Sequence, residues 1–232
     1  MDIQFTDTSN LDIQDEERKP YRASKVLPTW YKQTPSYLNG NKKTIGNEGT
    51  SLATIKRCMP VFDALTAGYI IPTVVDVYVT QKNGAAYYNW PSGDIIEFHN
   101  PEQAELHPKT NTLMVPKWMN PWSIKTPKGY STLFTNPLHG DNPYFTIFPG
   151  IVDTDVYQVP VNFPFVLTDP TFEGLIPAGT PIAQVIPIKR EPWNLTYGSK
   201  TDAKYLDTQF KKLRSVWFDA YKRMFRQPKP YN

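Results

Sequence analysis

Three observations predict a mainly β fold with an N-terminal arm and a C-terminal amphipathic helix. Prolines outnumber glycines by 23 to 12 in 232 residues, and 14% of the chain is aromatic; prolines scattered in this way interrupt helices and favour extended segments joined by rigid turns. From Ile70 to Thr80 runs a stretch rich in β-branched residues, the composition of a strand. The third is Phe145 to Arg190, where an apolar run, an Asp-rich turn, alternating residues, a Pro-Ala-Gly-Thr turn and a second apolar run read most simply as a pair of β-hairpins. The length suits one compact unit with extensions.

Taken in order, residues 1–50 read as an N-terminal arm followed by aromatic and Gly-rich loops. Ile3, Phe5, Leu11 and Ile13 alternate in a way that allows a strand docked on a neighbour. Between Val26 and Leu38, two prolines punctuate an aromatic cluster whose Trp30, Tyr31 and Tyr37 suit covering the edge or base of a sheet. The Gly/Asn-rich loop that follows holds Lys42, Lys43, Gly46 and Gly49 but lacks the order of a phosphate-binding loop.

Residues 51–192 form the predicted β domain. Ser51 to Phe62 has short helical potential with a stop at Cys58-Met-Pro60, and Ile70 to Thr80 is the strand. Gly84 marks a turn into Ala85–Trp90, and Ile95–Phe98 reads as a further hairpin partner. Glu102, Glu105 and His107 lie in a polar loop that reads as solvated. Trp118 and Trp122 are large enough to dominate a local core within the proline-punctuated segment Lys117–Leu138.

The remaining residues, 193–232, form a helical extension. Leu206, Phe210, Leu213, Trp217, Ala220 and Met224 recur at steps of four and three, which predicts one amphipathic helix of about six turns over 202–226. Lys211, Lys212, Arg214, Lys222, Arg223 and Arg226 lie on its solvated face. The apolar stripe is close to heptad, so this helix is a candidate contact for a second subunit or a protein partner.

Composition excludes several functions. A net charge of +3, well mixed, gives no nucleic-acid signal. A single cysteine, Cys58, rules out an internal disulfide framework, and three histidines offer no zinc-ligand spacing. No run approaches the roughly 18 apolar residues of a membrane helix. The expectation is a cytoplasmic protein.

Gly150-Ile-Val-Asp-Thr-Asp-Val-Tyr157 resembles the Gly-Val/Ile-Ile/Val-Asp-x-Asp-Tyr motif of dUTPases and the related dCTP deaminases. Ile176-Pro-Ala-Gly-Thr-Pro-Ile-Ala-Gln-Val-Ile186 is similar to the later Ile-Ala-Gln strand of that family. Ala67-Gly-Tyr69 and Pro127-Lys-Gly-Tyr130 resemble two of its upstream motifs, in family order. The resemblance covers residues 65–190 and implies a β-clip, a dUTPase-like distorted jelly roll, usually assembled as a homotrimer with sites between subunits. Ile55 to Pro72 also resembles a group of phage and bacterial proteins of unknown function, which implies a phage origin.

What the resemblance implies for the site is mixed. Asp153 matches the catalytic, water-activating carboxylate, with Asp155, Tyr157 and Gln184 as ligand-binding candidates. Val156 adds one residue before Tyr157, and in a strand a one-residue shift reverses the facing of a side chain unless a bulge absorbs it. Ile70 stands where the family has a metal-holding Asp, no Pro-Arg-Ser phosphate motif follows Tyr130, and the amphipathic helix replaces a Gly-rich lid. The deaminase Glu position falls on Asn162 or Phe163. Asp153 and Asp155 equally suit capping a tight turn, and Gln184 equally suits a buried amide bonded to backbone. The reading is a non-catalytic binding or structural, assembly protein on a dUTPase-like scaffold, phage-related, without cofactor. The alternative is a divergent nucleotide-processing enzyme of dNTP pyrophosphatase type, using Asp153 and Mg²⁺, with further groups from Asp63, Asp76, Lys125 or Lys128.

Overall fold

The computed structural model describes residues 2–39, 52–103, 114–216 and 218–229. Lys42, Lys43, Gly46, Gly49, Glu105, His107 and Trp217 lie outside the described residues. Two units emerge, residues 1–26 with 68–190, and residues 27–67 with 191–232.

The first unit carries all the strands among the described residues. In chain order they are β1 (Gln4–Asp7), β2 (Tyr21–Arg22), β3 (Tyr69–Pro72), β4 (Val77–Lys82), β5 (Ala85–Asn89), β6 (Ile96–His99) and β7 (Val115–Trp118). There follow β8 (Trp122–Lys125), β9 (Tyr130–Thr135), β10 (Phe145–Ile147), β11 (Gly150–Val152), β12 (Phe163–Leu167), β13 (Gly174–Ile176) and β14 (Pro181–Lys189). They form antiparallel sheets in the orders β10-β12-β7-β6, β11-β9-β14-β3-β2, β13-β4-β5 and β1-β8. The fold is mainly β, as the composition predicts.

Alternation and burial explain the strands. In β4, Val77 and Val79 are buried while Tyr78 between them is exposed, the signature of a sheet with one wet face. The longest strand, β14, pairs with β3 on one side and β9 on the other, so Ala183, Gln184 and Val185 are buried in succession. The core is aromatic: the Trp118 and Phe165 rings stack at 5.0 Å, and Phe145 lies 5.0 Å from Trp118 and 5.4 Å from Phe165. The N-terminal arm joins this core through β1, whose Phe5 pairs with Ile124 of β8, and Ile3, Leu11 and Ile13 pack against the same cluster.

The second unit is helical: α1 (Thr29–Gln33), α2 (Met59–Thr66), α3 (Lys200–Arg214) and α4 (Ala220–Met224). Trp30, Tyr31 and Tyr37 belong to it; the Tyr31 ring packs 6.2 Å from Phe62, and Tyr37 meets Phe218 edge-on at 5.9 Å.

Four local expectations are corrected. The strands of 145–190 form no local hairpins: β10 pairs with β12, β11 with β9, β13 with β4, and β14 with β3 and β9. Turn residues mark where a chain reverses, whereas burial decides which strand it joins. The run Ile70–Thr80 is two strands, because the Thr73 backbone leaves the sheet to bond Thr180 O and receive Gly179 N–H, each at 2.8 Å. Pro60 sits in the first turn of α2 rather than ending a helix, a position where its missing N–H costs nothing. The predicted helix over 202–226 is α3 and α4. Ser215 closes α3 by turning its hydroxyl onto Lys212 O at 2.7 Å. Asp219 then adopts a left-handed φ of 58° while Arg57 Nε donates to its carboxylate at 3.0 Å.

Candidate functional site

The Asp153–Tyr157 turn follows β11 directly. Its backbone closes on itself, with Asp153 O accepting from Tyr157 N at 2.8 Å and from Val156 N at 3.0 Å. Thr154, at its centre, is fully buried and anchors the turn. Its hydroxyl bonds those of Thr126 at 2.8 Å and Thr132 at 2.7 Å, a chain in which every hydroxyl has a partner.

Asp153 and Asp155, on either side of this anchor, converge on one guanidinium. Arg190 follows β14, and its backbone N–H donates to Gly129 O at 2.8 Å, which fixes where its side chain begins. Arg190 Nη1 donates to Asp155 Oδ1 at 2.9 Å and Nη2 to Asp155 Oδ2, a bidentate pair. The same Nη1 reaches Tyr130 O at 2.9 Å, Ser131 Oγ at 3.2 Å and Asp153 Oδ1 at 3.2 Å. Ser131 Oγ also donates to Asp153 Oδ1, at 2.6 Å.

Gly129 completes the clamp. It sits at φ 87° in the turn before β9, a conformation that favours glycine, and its N–H donates to Asp155 Oδ2 at 2.8 Å. The Asp155 side chain is 3% exposed, against 61% for Asp153. Arg190 first, and then the Gly129 N–H, holds the Asp155 carboxyl down at about 2. Reciprocally, Asp155 pushes the Arg190 guanidinium above its ordinary range.

The four sequence candidates therefore occupy different environments. Asp153 and Asp155 meet at Arg190. Tyr157, past the inserted Val156, is half-exposed and makes a backbone bond to Asp153. Gln184 is buried in β14, where its Oε1 accepts from Leu138 N at 2.7 Å, one of the two roles its sequence position allows. Of the further groups, Asp76 Oδ1 accepts from Ala178 N at 2.7 Å, and Asp63 pairs with Arg226 in the helical unit. Lys125 and Lys128 are exposed, Lys128 beside Gly129.

Sequence reasoning missed Arg190, Ser131 and Gly129 as a set. The available signal was positional: Pro127-Lys-Gly-Tyr130 leads into β9, which pairs with the end of β14, the Asp-x-Asp turn follows β11 on the other side of β9, and Arg190 is the first residue beyond β14.

No protein-family profile matches the chain, and no curated protein matches it. Among solved structures it is similar to phage dUTPases. A mutant dUTPase from phage phi11 of S. aureus, described for its coordination of a structural Mg(II) ion, has a TM-score of 0.37 and 14% identity. That match covers 86% of this chain and 97% of the other. A mutant Staphylococcus bacteriophage 80alpha dUTPase with dUpNHpp has a TM-score of 0.35 and 14% identity, covering 85% of this chain and 88% of the other. No helix among the described residues is long and apolar enough to cross a membrane.

Proposed function

We propose that this chain is a non-catalytic binding or assembly protein on a dUTPase-like scaffold, phage-related, working as a homo-oligomer. The observation that carries the reading is the closed Asp155–Arg190–Asp153 clamp. The Arg190 guanidinium bridges two carboxylates, and both Asp155 oxygens are occupied by Arg190 and the Gly129 N–H. A nucleotide-hydrolysing centre needs cationic groups directed at phosphates and a carboxylate directed at water. Here the cation is directed at carboxylates, and the clamp joins the Asp153–Tyr157 turn to the end of β14. Two carboxylates sharing one guanidinium also do not fit a resident Mg²⁺. The resemblance of Gly150–Tyr157 and Ile176–Ile186 to dUTPases supports the scaffold, its usual trimer the oligomer number, and that of Ile55–Pro72 the phage relationship.

A second reading has one observation in its favour. The Asp153 carboxylate is exposed and held in one orientation through Oδ1 by Ser131 and Arg190, as a water-activating carboxylate would be. The test is incubation with a panel of deoxynucleoside triphosphates and Mg²⁺, with Asp153→Asn as control. The expected result is no turnover and no thermal shift. Turnover lost in Asp153→Asn overturns the binding and assembly reading and establishes a divergent nucleotide-processing enzyme.

A further inference from the structure

Among the described residues, the three most exposed large apolar side chains are Trp193, Leu195 and Tyr197, and Leu206 and Phe210 follow them closely in sequence. Trp193, Leu195 and Tyr197 alternate along a segment without hydrogen-bonded secondary structure, bounded by Pro192 and Gly198, and α3 begins immediately after it. In an extended chain, alternate residues share a side. Helix α3 opens with a capping box, Ser199 Oγ accepting from Asp202 N at 3.2 Å and Asp202 Oδ2 from Ser199 N at 2.6 Å. Yet none of its 15 residues is buried.

Helices of about 12–15 residues are marginal in water unless a face is packed. The face available on α3 is Ala203, Leu206, Phe210 and Leu213, spaced three, four and three. That is a two-heptad stripe, which matches another helix bearing the same repeat. Trp193, Leu195, Tyr197, Leu206 and Phe210 are each between 50% and 90% exposed. At about 150–250 Å² per aromatic side chain, the three aromatics and two leucines together offer roughly 600–700 Å², close to the ~800 Å² that each partner contributes to a stable interface.

We propose that residues 193–214 are a pairing surface for the same segment of a second copy of this chain, with the two α3 helices antiparallel. The proposal rests on the assembly reading and names its contact. Charge selects the orientation. Lys211, Lys212 and Arg214 crowd the C-terminal half of α3, whereas in the N-terminal half Lys200 and Lys204 are balanced by Asp202 and Asp207. Parallel packing stacks two basic clusters; antiparallel packing separates them and sets each against the neutral half of the other. The pair is then isologous, the same surface serving both copies.

The full-length chain tests this by light scattering after size exclusion, alongside Leu206→Lys/Phe210→Lys and Trp193→Ser/Tyr197→Ser. With the trimer of the assembly reading, the expected wild type is a hexamer, two trimers joined through paired α3 helices, and its mass is halved by each variant with far-UV circular dichroism retained. Independently of any variant, amide exchange over 200–214 in the wild type slows as protein concentration rises. Unchanged mass in both variants, an odd-numbered or monomeric wild type, or concentration-independent exchange overturns the pairing. A monomer that floats with anionic phosphatidylglycerol vesicles assigns the surface to lipid instead. A trimeric wild type overturns the pairing alone and leaves the assembly reading standing, whereas a monomer or nucleotide turnover overturns the assembly reading as well.

Discussion

The two units hold the chain together with a different balance of packing and charge. In the β unit, apolar rings meet apolar rings: Phe165 is fully buried, stacked on Trp118, 5.4 Å from Phe145 and edge-on to Tyr88 at 5.8 Å. The helical unit has fewer ring contacts, Tyr31 with Phe62 and Tyr37 with Phe218, and adds charge braces to them, Arg226 with Asp63 at 2.6 Å and Arg57 with Asp219. A packed core spreads its energy over many weak contacts, whereas an ion pair concentrates it in two side chains whose desolvation must be offset by their attraction. Phe165→Ala tests the first arrangement. It leaves a cavity facing three aromatic rings and is expected to cost about 3–5 kcal/mol, read from urea unfolding monitored by tryptophan fluorescence. A loss under about 1 kcal/mol would mean that the rings close over the gap, and that this core is less tightly packed than its contacts imply.

The matching experiment in the helical unit is Asp63→Ala. The Asp63 and Arg226 side chains are 10% and 21% exposed, so the pair is largely withdrawn from water. Removing one member of a fully buried pair costs about 3–5 kcal/mol, because the other charge remains without compensation. The residual exposure of Arg226 lowers the expectation to about 2 kcal/mol, read as faster amide exchange in α2 and in 220–226. Replacing both partners, Asp63→Leu with Arg226→Met, is expected to recover most of the loss. If the double variant is as unstable as the single one, the brace contributes more than charge compensation.

The contrast also explains what was legible in the sequence. The β unit's strands were readable wherever alternation coincides with burial, as at Val77 and Val79, or where Gly84 closes a local hairpin between β4 and β5. Their partners were not, since β11, β13 and β14 join strands far away in the chain, and no local pattern encodes a distant register. Helix α3 announced itself through its stripe. The break after it did not, because the turn into α4 is made at Asp219, whose carboxylate is held by Arg57 far away in sequence. At the site, Asp153 and Asp155 stood out through motif spacing. Arg190 did not, because an arginine at the end of a strand has no distinctive neighbours until β9 and β14 pair and bring Tyr130 opposite Lys189.

The clamp at Asp155 joins the two strategies, an ion pair set on the β unit, and its pH response sharpens the comparison. Folding lowers the Asp155 carboxyl from an ordinary value of 3.8 to about 2. A carboxyl lowered in this way binds its proton more readily in the unfolded chain. Its contribution to stability is therefore complete above about pH 4 and disappears as pH falls through about 2. Thermal melts of the wild type and Asp155→Asn between pH 6 and pH 2 read this as a difference: a constant gap at the upper end that narrows below pH 4 and closes near pH 2. Phe165→Ala, which removes no titrating group, is expected to run parallel to the wild type across the range. If the two melt together at every pH, the turn is held by the buried Thr126–Thr154–Thr132 hydroxyl chain rather than by Arg190, and the β unit needs no charge to fix this acidic turn.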